Sequence, residues 1–322
     1  MGLLAYTEVH VARWRARIST IAVAGACAAG PAAPALASEA HGAQPALSVG
    51  GEVTTPATFT PAALAKLPQT TDTLTVGNRQ VTVTGVLLET LVTDAGPAYP
   101  ALVNTKNELL RVTATVRGAG NRQVTFAVGE LDPSFGNHPA LLALTVNGRS
   151  VPGGPELVVP GDSAPLRDIS GVSKVTVGIA TAPATNTDPA AGSPVEVIYG
   201  HHVVTLSAAL LAKLPSETLK VSFGGPGGVQ THTEIGPSLP IVLAAAGVFP
   251  ALNTWVAATG DDNYVATVTP AEQFVGGRPL QLSLNEDGVT LAQPRLVTDG
   301  DVKGGRYVSD IVDLYAGSGP AS

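Results

Sequence analysis

Cysteine is almost missing from this chain: Cys27 is its one cysteine, set among small apolar residues near the N-terminus. The rest has no disulfide to staple it and no thiolate to serve as nucleophile or metal ligand. Charge is also scarce, at 13% of residues, and the balance is acidic, with a net −7. An acidic surface of low charge density argues against nucleic acid or an anionic membrane as partner. Beyond the N-terminal region no apolar run is long enough to cross a bilayer, so no transmembrane span is expected. Several catalytic signatures are missing too. There is no H-E-x-x-H for a metalloprotease and no G-x-S-x-G elbow, and no Lys-Ser/Thr follows the Gly-rich stretch 224–228 to make a phosphate loop. What the chain has instead is 36 glycines, 26 prolines and 44% hydrophobic residues. That is the composition of a turn-rich, β-leaning globular protein.

Arg13, Arg15 and Arg17 precede an uncharged run of small and apolar residues from Ile18 to Gly30, and Ala35-Leu36-Ala37 follows. A charged n-region, a short apolar stretch and small residues at −3 and −1 predict a cleavable secretory segment over 1–37. The expected location is therefore extracytoplasmic: secreted, periplasmic or at the cell surface. Cleavage would remove three arginines and Glu8, leaving the remainder more negative still. Lipidation at Cys27 is the competing outcome, though Ala24 stands where a lipoprotein site has leucine. No Arg-Arg pair is present.

The chain repeats itself. Ala62-Ala63-Leu64-Ala65-Lys66-Leu67-Pro68 returns as Ala209-Leu210-Leu211-Ala212-Lys213-Leu214-Pro215. Each reads as a short helix opened by a hydroxyl cap, Thr60 or Ser207, and stopped by proline. Gly85 to Gly96 and Gly236 to Gly247 bracket apolar helices of equal spacing, the closing glycine serving as cap. Leu144–Asn147 answers Leu282–Asn285, and Leu157–Pro160 with Arg167-Asp168-Ile169 answers Arg295–Thr298 with Arg306-Tyr307-Val308. The expected organisation is a first module over 47–180, a linker over 181–194 and a second module over 195–317, each large enough for one core. Between the helices lie alternating strands and hairpins, 110–116 with 123–128 and 255–259 with 264–268. The fold class expected is α+β, mainly antiparallel sheet with short helices.

This order of elements resembles the molybdopterin-binding fold of the sulfite oxidase family. The residues that carry the resemblance are Leu67-Pro68, Gly85–Leu88, Ala95-Gly96, Glu130-Leu131, Val146-Asn147-Gly148 and Val158-Val159-Pro160-Gly161 in the first module. In the second they are Lys303-Gly304-Gly305-Arg306-Tyr307-Val308. The resemblance implies two tandem sulfite-oxidase-like modules and a cofactor pocket near the last motif, with Lys303, Gly305, Arg306 and Arg167 as candidate cofactor-binding residues. It also implies a molybdenum-ligating cysteine in a Thr-Leu-x-Cys-x-Gly-Asn stretch. Here that stretch is Thr73-Leu74-Thr75-Val76-Gly77-Asn78, and its repeat is Thr218-Leu219-Lys220-Val221-Ser222, both without cysteine. Hydroxyl and methyl groups do not replace a soft thiolate.

The expected function is accordingly a secreted binding protein on a degenerate molybdopterin fold, taking a small anionic or pterin-like ligand or a protein partner. No catalytic residue and no metal ligand is nominated. The alternatives are an oxidoreductase that holds molybdopterin without a cysteine ligand, and a structural cell-surface protein. His201-His202, on a strand, point to opposite faces and do not chelate together. His138 and His232 read as isolated packing or surface residues. Gly224–Gly228 reads as a hairpin, and Asp261-Asp262-Asn263 and Asp299-Gly300-Asp301 as acidic turns more than calcium loops. Arg306 has two readings: an anion ligand, or a strand-end partner for Asp310 or Asp313.

Overall fold

Stretches rich in Val and Thr, broken by glycine and proline, favour pleated strands over helices, and strands dominate. The computed structural model describes residues 46–76, 78–181, 189–225 and 227–321. The secretory segment expected over 1–37 lies outside the described residues, as do 182–188 of the linker. The first half carries β1 (Leu47–Gly51), β2 (Ala57–Phe59), β3 (Thr70–Val76), β4 (Arg79–Leu87), β5 (Val112–Arg117), β6 (Gln123–Ala127), β7 (Leu141–Val146), β8 (Arg149–Ser150), β9 (Glu156–Val158) and β10 (Lys174–Ile179). The second half carries β11 (Val195–Tyr199), β12 (His202–Leu206), β13 (Ser216–Gly225), β14 (Gly228–Pro237), β15 (Thr254–Gly260), β16 (Val265–Val268), β17 (Leu280–Glu286), β18 (Val289–Thr298) and β19 (Ile311–Ser318).

Each half builds two sheets. One has the order β2-β1-β10-β5-β6 in the first half and β12-β11-β19-β15-β16 in the second. In both, one parallel pair (β1 with β10, β11 with β19) sits among antiparallel neighbours. The other sheet is antiparallel throughout, β3-β4-β7-β8 with β9 also on β7, and β13-β14-β17-β18. The Gly-rich stretch expected as a hairpin joins β13 to β14, with Gly225 opposite Gly228.

Six α-helices punctuate the described strands: α1 (Pro61–Leu64), α2 (Leu88–Ala95), α3 (Val128–Leu131), α4 (Ala208–Leu211), α5 (Leu239–Ala245) and α6 (Ala271–Phe274). Thr60 and Ser207 cap α1 and α4 as expected, accepting from the backbone N–H groups of Ala63 and Leu210 at 3.2 Å. Both helices are a single turn, shorter than the sequence suggested. Proline disfavours helical backbone in the residue before it, here Leu67 and Leu214, which accounts for helices that end ahead of Pro68 and Pro215. Leu64, Leu91 and Val92 enter the core of the first half, and Leu211, Val242 and Leu243 that of the second.

The halves are packed together rather than strung apart. Leu110 of the first half belongs to the core of the second, and Leu252 packs on the core of the first. A separate cluster of Ala180, Trp255, Ala257, Val265 and Ala321 forms at the join. Thr113 and Thr115, on the face of β5 away from its core, are buried as well. The Thr113 hydroxyl accepts from the Ala321 backbone N–H at 3.0 Å, and Thr125 on β6 donates its hydroxyl to Gly319 at 3.2 Å. The C-terminal end of the second half therefore covers the threonine face of the first.

Candidate functional site

Two buried arginines stand at corresponding places. Arg306 donates from Nε and Nη2 to Asp301, five residues upstream, at 2.9 and 2.6 Å, and from Nη1 to Glu272 on α6 at 2.7 Å. Arg167 donates from Nε and Nη2 to Asp162, again five residues upstream, at 2.8 and 2.5 Å. Its Nη1 lies 2.8 Å from Glu130 on α3. An additional basic side chain leans on each node: Arg278 on Asp301 at 3.0 Å, and His138 between Glu130 (3.2 Å) and Asp162 (3.5 Å). Both arginines are fully buried. Burial alone would lower each guanidinium, but Asp301 and Glu272, and likewise Glu130 and Asp162, outweigh it and hold both above their ordinary range. Burial pushes the Glu130 carboxyl up as well, yet Arg167 and His138 bring it below the usual carboxylate value. Burial keeps the Asp162 carboxyl above its usual value despite Arg167.

The nodes meet across the join. A Cβ on Gly129, next to Glu130, would lie 2.9 Å from Cδ of Arg306, and one on Gly276 would lie 3.2 Å from Nη2 of Arg167. The residue after each node aspartate donates its backbone N–H to the opposite half: Val302 to Phe135 at 2.7 Å, Ser163 to Val275 at 3.0 Å. Each half thus inserts its aspartate turn into the loop that follows the other half's glutamate helix.

These positions correct part of the sequence reading. Neither Arg167 nor Arg306 presents a cation to a ligand, because the planar fork of each is taken up by two carboxylates in the interior. Arg306 does pair with acids, but with Asp301 and Glu272 rather than Asp310 or Asp313. His138 is not isolated. It is wedged in the first node, which the sequence reading missed. The repeated Asp-x-x-x-x-Arg spacing was the available signal. Asp301 is likewise consumed by its arginine and does not belong to a calcium turn. Among the described residues, no group of three or more His, Cys, Asp or Glu is arranged to hold a metal. His201 and His202 lie exposed at the β11–β12 hairpin.

Lys303 and Gly305 have a different place. The short turn Gly304–Arg306 sends Arg306 inward, leaving Lys303, Gly304 and Gly305 along a cleft of about 530 Å³. Phe223, Gln230 and Tyr307 line it together with Lys106, Asn107 and Phe135 of the first half. Asp261, Asp262 and Asp310 also border it. Close packing explains the glycines: a Cβ on Gly304 would fall 2.7 Å from the Phe223 ring, and one on Gly305 would fall 2.2 Å from Phe135. Tyr264 ties the floor together. Its hydroxyl donates to the Gly305 carbonyl at 2.5 Å and accepts from Asn107 at 2.9 Å. The corresponding turn of the first half, Ser163-Ala164-Pro165-Leu166, has no lysine, and Ser163 donates its hydroxyl to Val275 at 2.6 Å.

The ionisable groups around the cleft are unevenly engaged. Asp262 accepts from the Tyr264 backbone N–H at 2.8 Å, and Lys106 sits 5.5 Å from the centre of the Tyr264 ring. Burial, helped by Asp301 and Asp299, lifts the Tyr307 phenol well above its ordinary value, so it remains a protonated donor. Lys303 is exposed and makes no ion pair with a described residue. The arrangement is suited to recognition by charge and hydrogen bonds, with no nucleophile–base pair among the residues lining it.

No family model matches the chain, and no curated protein matches it. Among solved structures 29 chains match. One is the sulfane dehydrogenase SoxCD from Paracoccus pantotrophus, 17% identical, with the match covering 70% of this chain and 59% of that one at a TM-score of 0.33. The chain therefore spans less than two thirds of that protein's length, and a score so low transfers neither its fold nor its activity.

Proposed function

We propose that the chain is an extracytoplasmic binding protein, made of two copies of one module, that holds a small anionic ligand in the cleft at their join and performs no chemistry on it. The observation that carries this reading is the division of labour within Lys303–Arg306. Arg306 is neutralised in the interior and props the turn, while Lys303 and the backbone of Gly304 and Gly305 face the cleft. Two matched sheet orders and two matched Arg–Asp–Glu nodes support the duplication. The motifs that run in order from Leu67-Pro68 to Lys303–Val308 support a degenerate relative of the molybdopterin-binding fold. The secretory pattern of 1–37 supports export.

Molybdenum does not fit the residues present. Thr75 and Val76 stand where the resemblance calls for thiolate. The Thr75 hydroxyl accepts from Gln80 Nε2 at 3.0 Å, and the Val76 side chain has no donor atom. Arg167 and Arg306, which would have held the cofactor's phosphate, are bound to carboxylates. The test is elemental analysis of protein made in a host that synthesises molybdopterin, together with thermal shift against an anion panel. Sub-stoichiometric molybdenum, and an anion-induced shift lost in Lys303→Ala, are expected. Near one molybdenum per chain would promote the oxidoreductase reading instead.

A further inference from the structure

The rings around the cleft are already occupied. Phe223 packs on Tyr307 at 4.4 Å and on His232 at 5.8 Å between centroids, and Gly304 lies against its edge. Phe135 is pressed against Gly305, and Tyr264 has Lys106 over it. A flat aromatic ligand gains most from an uncovered ring face, and these rings spend their packing on the protein. What remains for a ligand is polar. The Lys303 ammonium, the Tyr307 hydroxyl, the Gln230 amide and the Asp310 carboxylate line the cleft without a side-chain hydrogen bond to another described residue.

That set mixes one cation with a phenol, an amide and a carboxylate. Lys303 draws a phosphate or a carboxylate alike while Asp261, Asp262 and Asp310 oppose both, and the phosphate, more highly charged, meets the greater repulsion. A group that both donates and accepts suits Gln230 and Asp310, and hydroxyl groups do so. A ligand that also carries a carboxylate suits Lys303. We infer that the ligand of this cleft is an acidic carbohydrate, such as a uronic acid, held by its carboxylate at Lys303 and by its hydroxyls at Gln230, Tyr307 and Asp310. The inference rests on the cleft being the binding site and names its ligand class. A cavity of about 530 Å³ is in the range that takes a small ligand.

Titration calorimetry of the full chain separates the cases, using D-glucuronate, D-galacturonate, D-glucose, inorganic phosphate and pterin-6-carboxylate as probes. A uronate is expected to bind at least tenfold more tightly than glucose. Lys303→Ala should weaken it at least tenfold, and Asp310→Asn should weaken it severalfold, with the unfolding midpoint of both variants unchanged. Binding of phosphate or the pterin in preference to both uronates would overturn the carbohydrate class while leaving the cleft as an anion site. Uronate binding that Lys303→Ala and Asp310→Asn leave untouched would place it elsewhere and overturn both readings, as would a failure of every probe to bind.

Discussion

Arg306→Met removes the cation of the second node while keeping most of its volume. Three charge-assisted hydrogen bonds are lost, two to Asp301 and one to Glu272, and both carboxylates stay in the interior. Breaking a buried pair by deleting one partner costs roughly 3–5 kcal/mol, because the remaining charge is left uncompensated. Arg278 still reaches Asp301 at 3.0 Å, which places the expected loss near the lower end, about 3 kcal/mol. In thermal terms that is roughly 4–5 °C for a chain of this size. Urea unfolding followed by fluorescence of the buried Trp255 reads it directly. The pH dependence gives the stronger check. Burial already holds the Glu272 carboxyl above its ordinary value, with Arg306 the main counterweight, so the variant should recover stability as pH falls and Glu272 takes up a proton. Removing the two acids as well, in Glu272→Gln/Asp301→Asn/Arg306→Met, should restore part of the loss at pH 7. A single variant that loses less than about 1 kcal/mol at pH 7 with an unchanged urea slope would refute the claim that the node is an uncompensated-charge trap.

Other perturbations test other parts of the structure. Gly305→Ala puts a methyl 2.2 Å from Phe135 and should cost about 1–3 kcal/mol by overpacking, with partial rescue by Phe135→Leu; calorimetric melting of both variants decides it. Burial raises the Asp168 carboxyl well above its ordinary value, so its stabilising contribution is greatest below the unfolded carboxyl value and declines as pH rises. Asp168→Asn should therefore gain on the wild type from acid to neutral pH in a Tm–pH series, and a parallel pair of curves would contradict this. Thr60→Ala and Ser207→Ala should each cost about 1 kcal/mol in urea titration, because each removes the acceptor for a first-turn N–H.

Local chemistry was readable from the sequence where it acted locally. The hydroxyl caps at Thr60 and Ser207, Gly96 and Gly247 ending α2 and α5, and the hairpin of β5 with β6 all follow from neighbours in sequence. The elements that misled are those whose partners are distant. Val112-Thr113-Ala114-Thr115-Val116 alternates like a strand with one face in water, yet its threonines are buried by the chain's own C-terminal end. Arg306 looked like a surface cation because its aspartate partner is near but its glutamate, which completes the neutralisation, lies 34 residues away. Lys303 and Gly305 line a cleft, but the glycine pair is accounted for by contacts the sequence did not show, since Phe223 and Phe135 occupy the space their Cβ atoms would take. The contribution of Lys106, Asn107 and Phe135 from the other half had no sequence signal, since nothing local says which loops will meet.

Burial of β6 by the opposite half has a consequence for how the protein comes to exist. An edge strand offers unpaired backbone to any other chain until it is covered. The Thr125 backbone N–H finds its acceptor at Leu252, and the hydroxyl of the same residue finds its own at Gly319, 194 residues on. Until those later segments have been synthesised, the first half carries an open β-edge and an uncovered threonine face. Contacts so distant in sequence make for slow folding and a long exposure to mispairing. The join that shapes the cleft is then also a late-formed safeguard against aggregation, since cover for the open edge waits on the segments around Leu252 and Gly319.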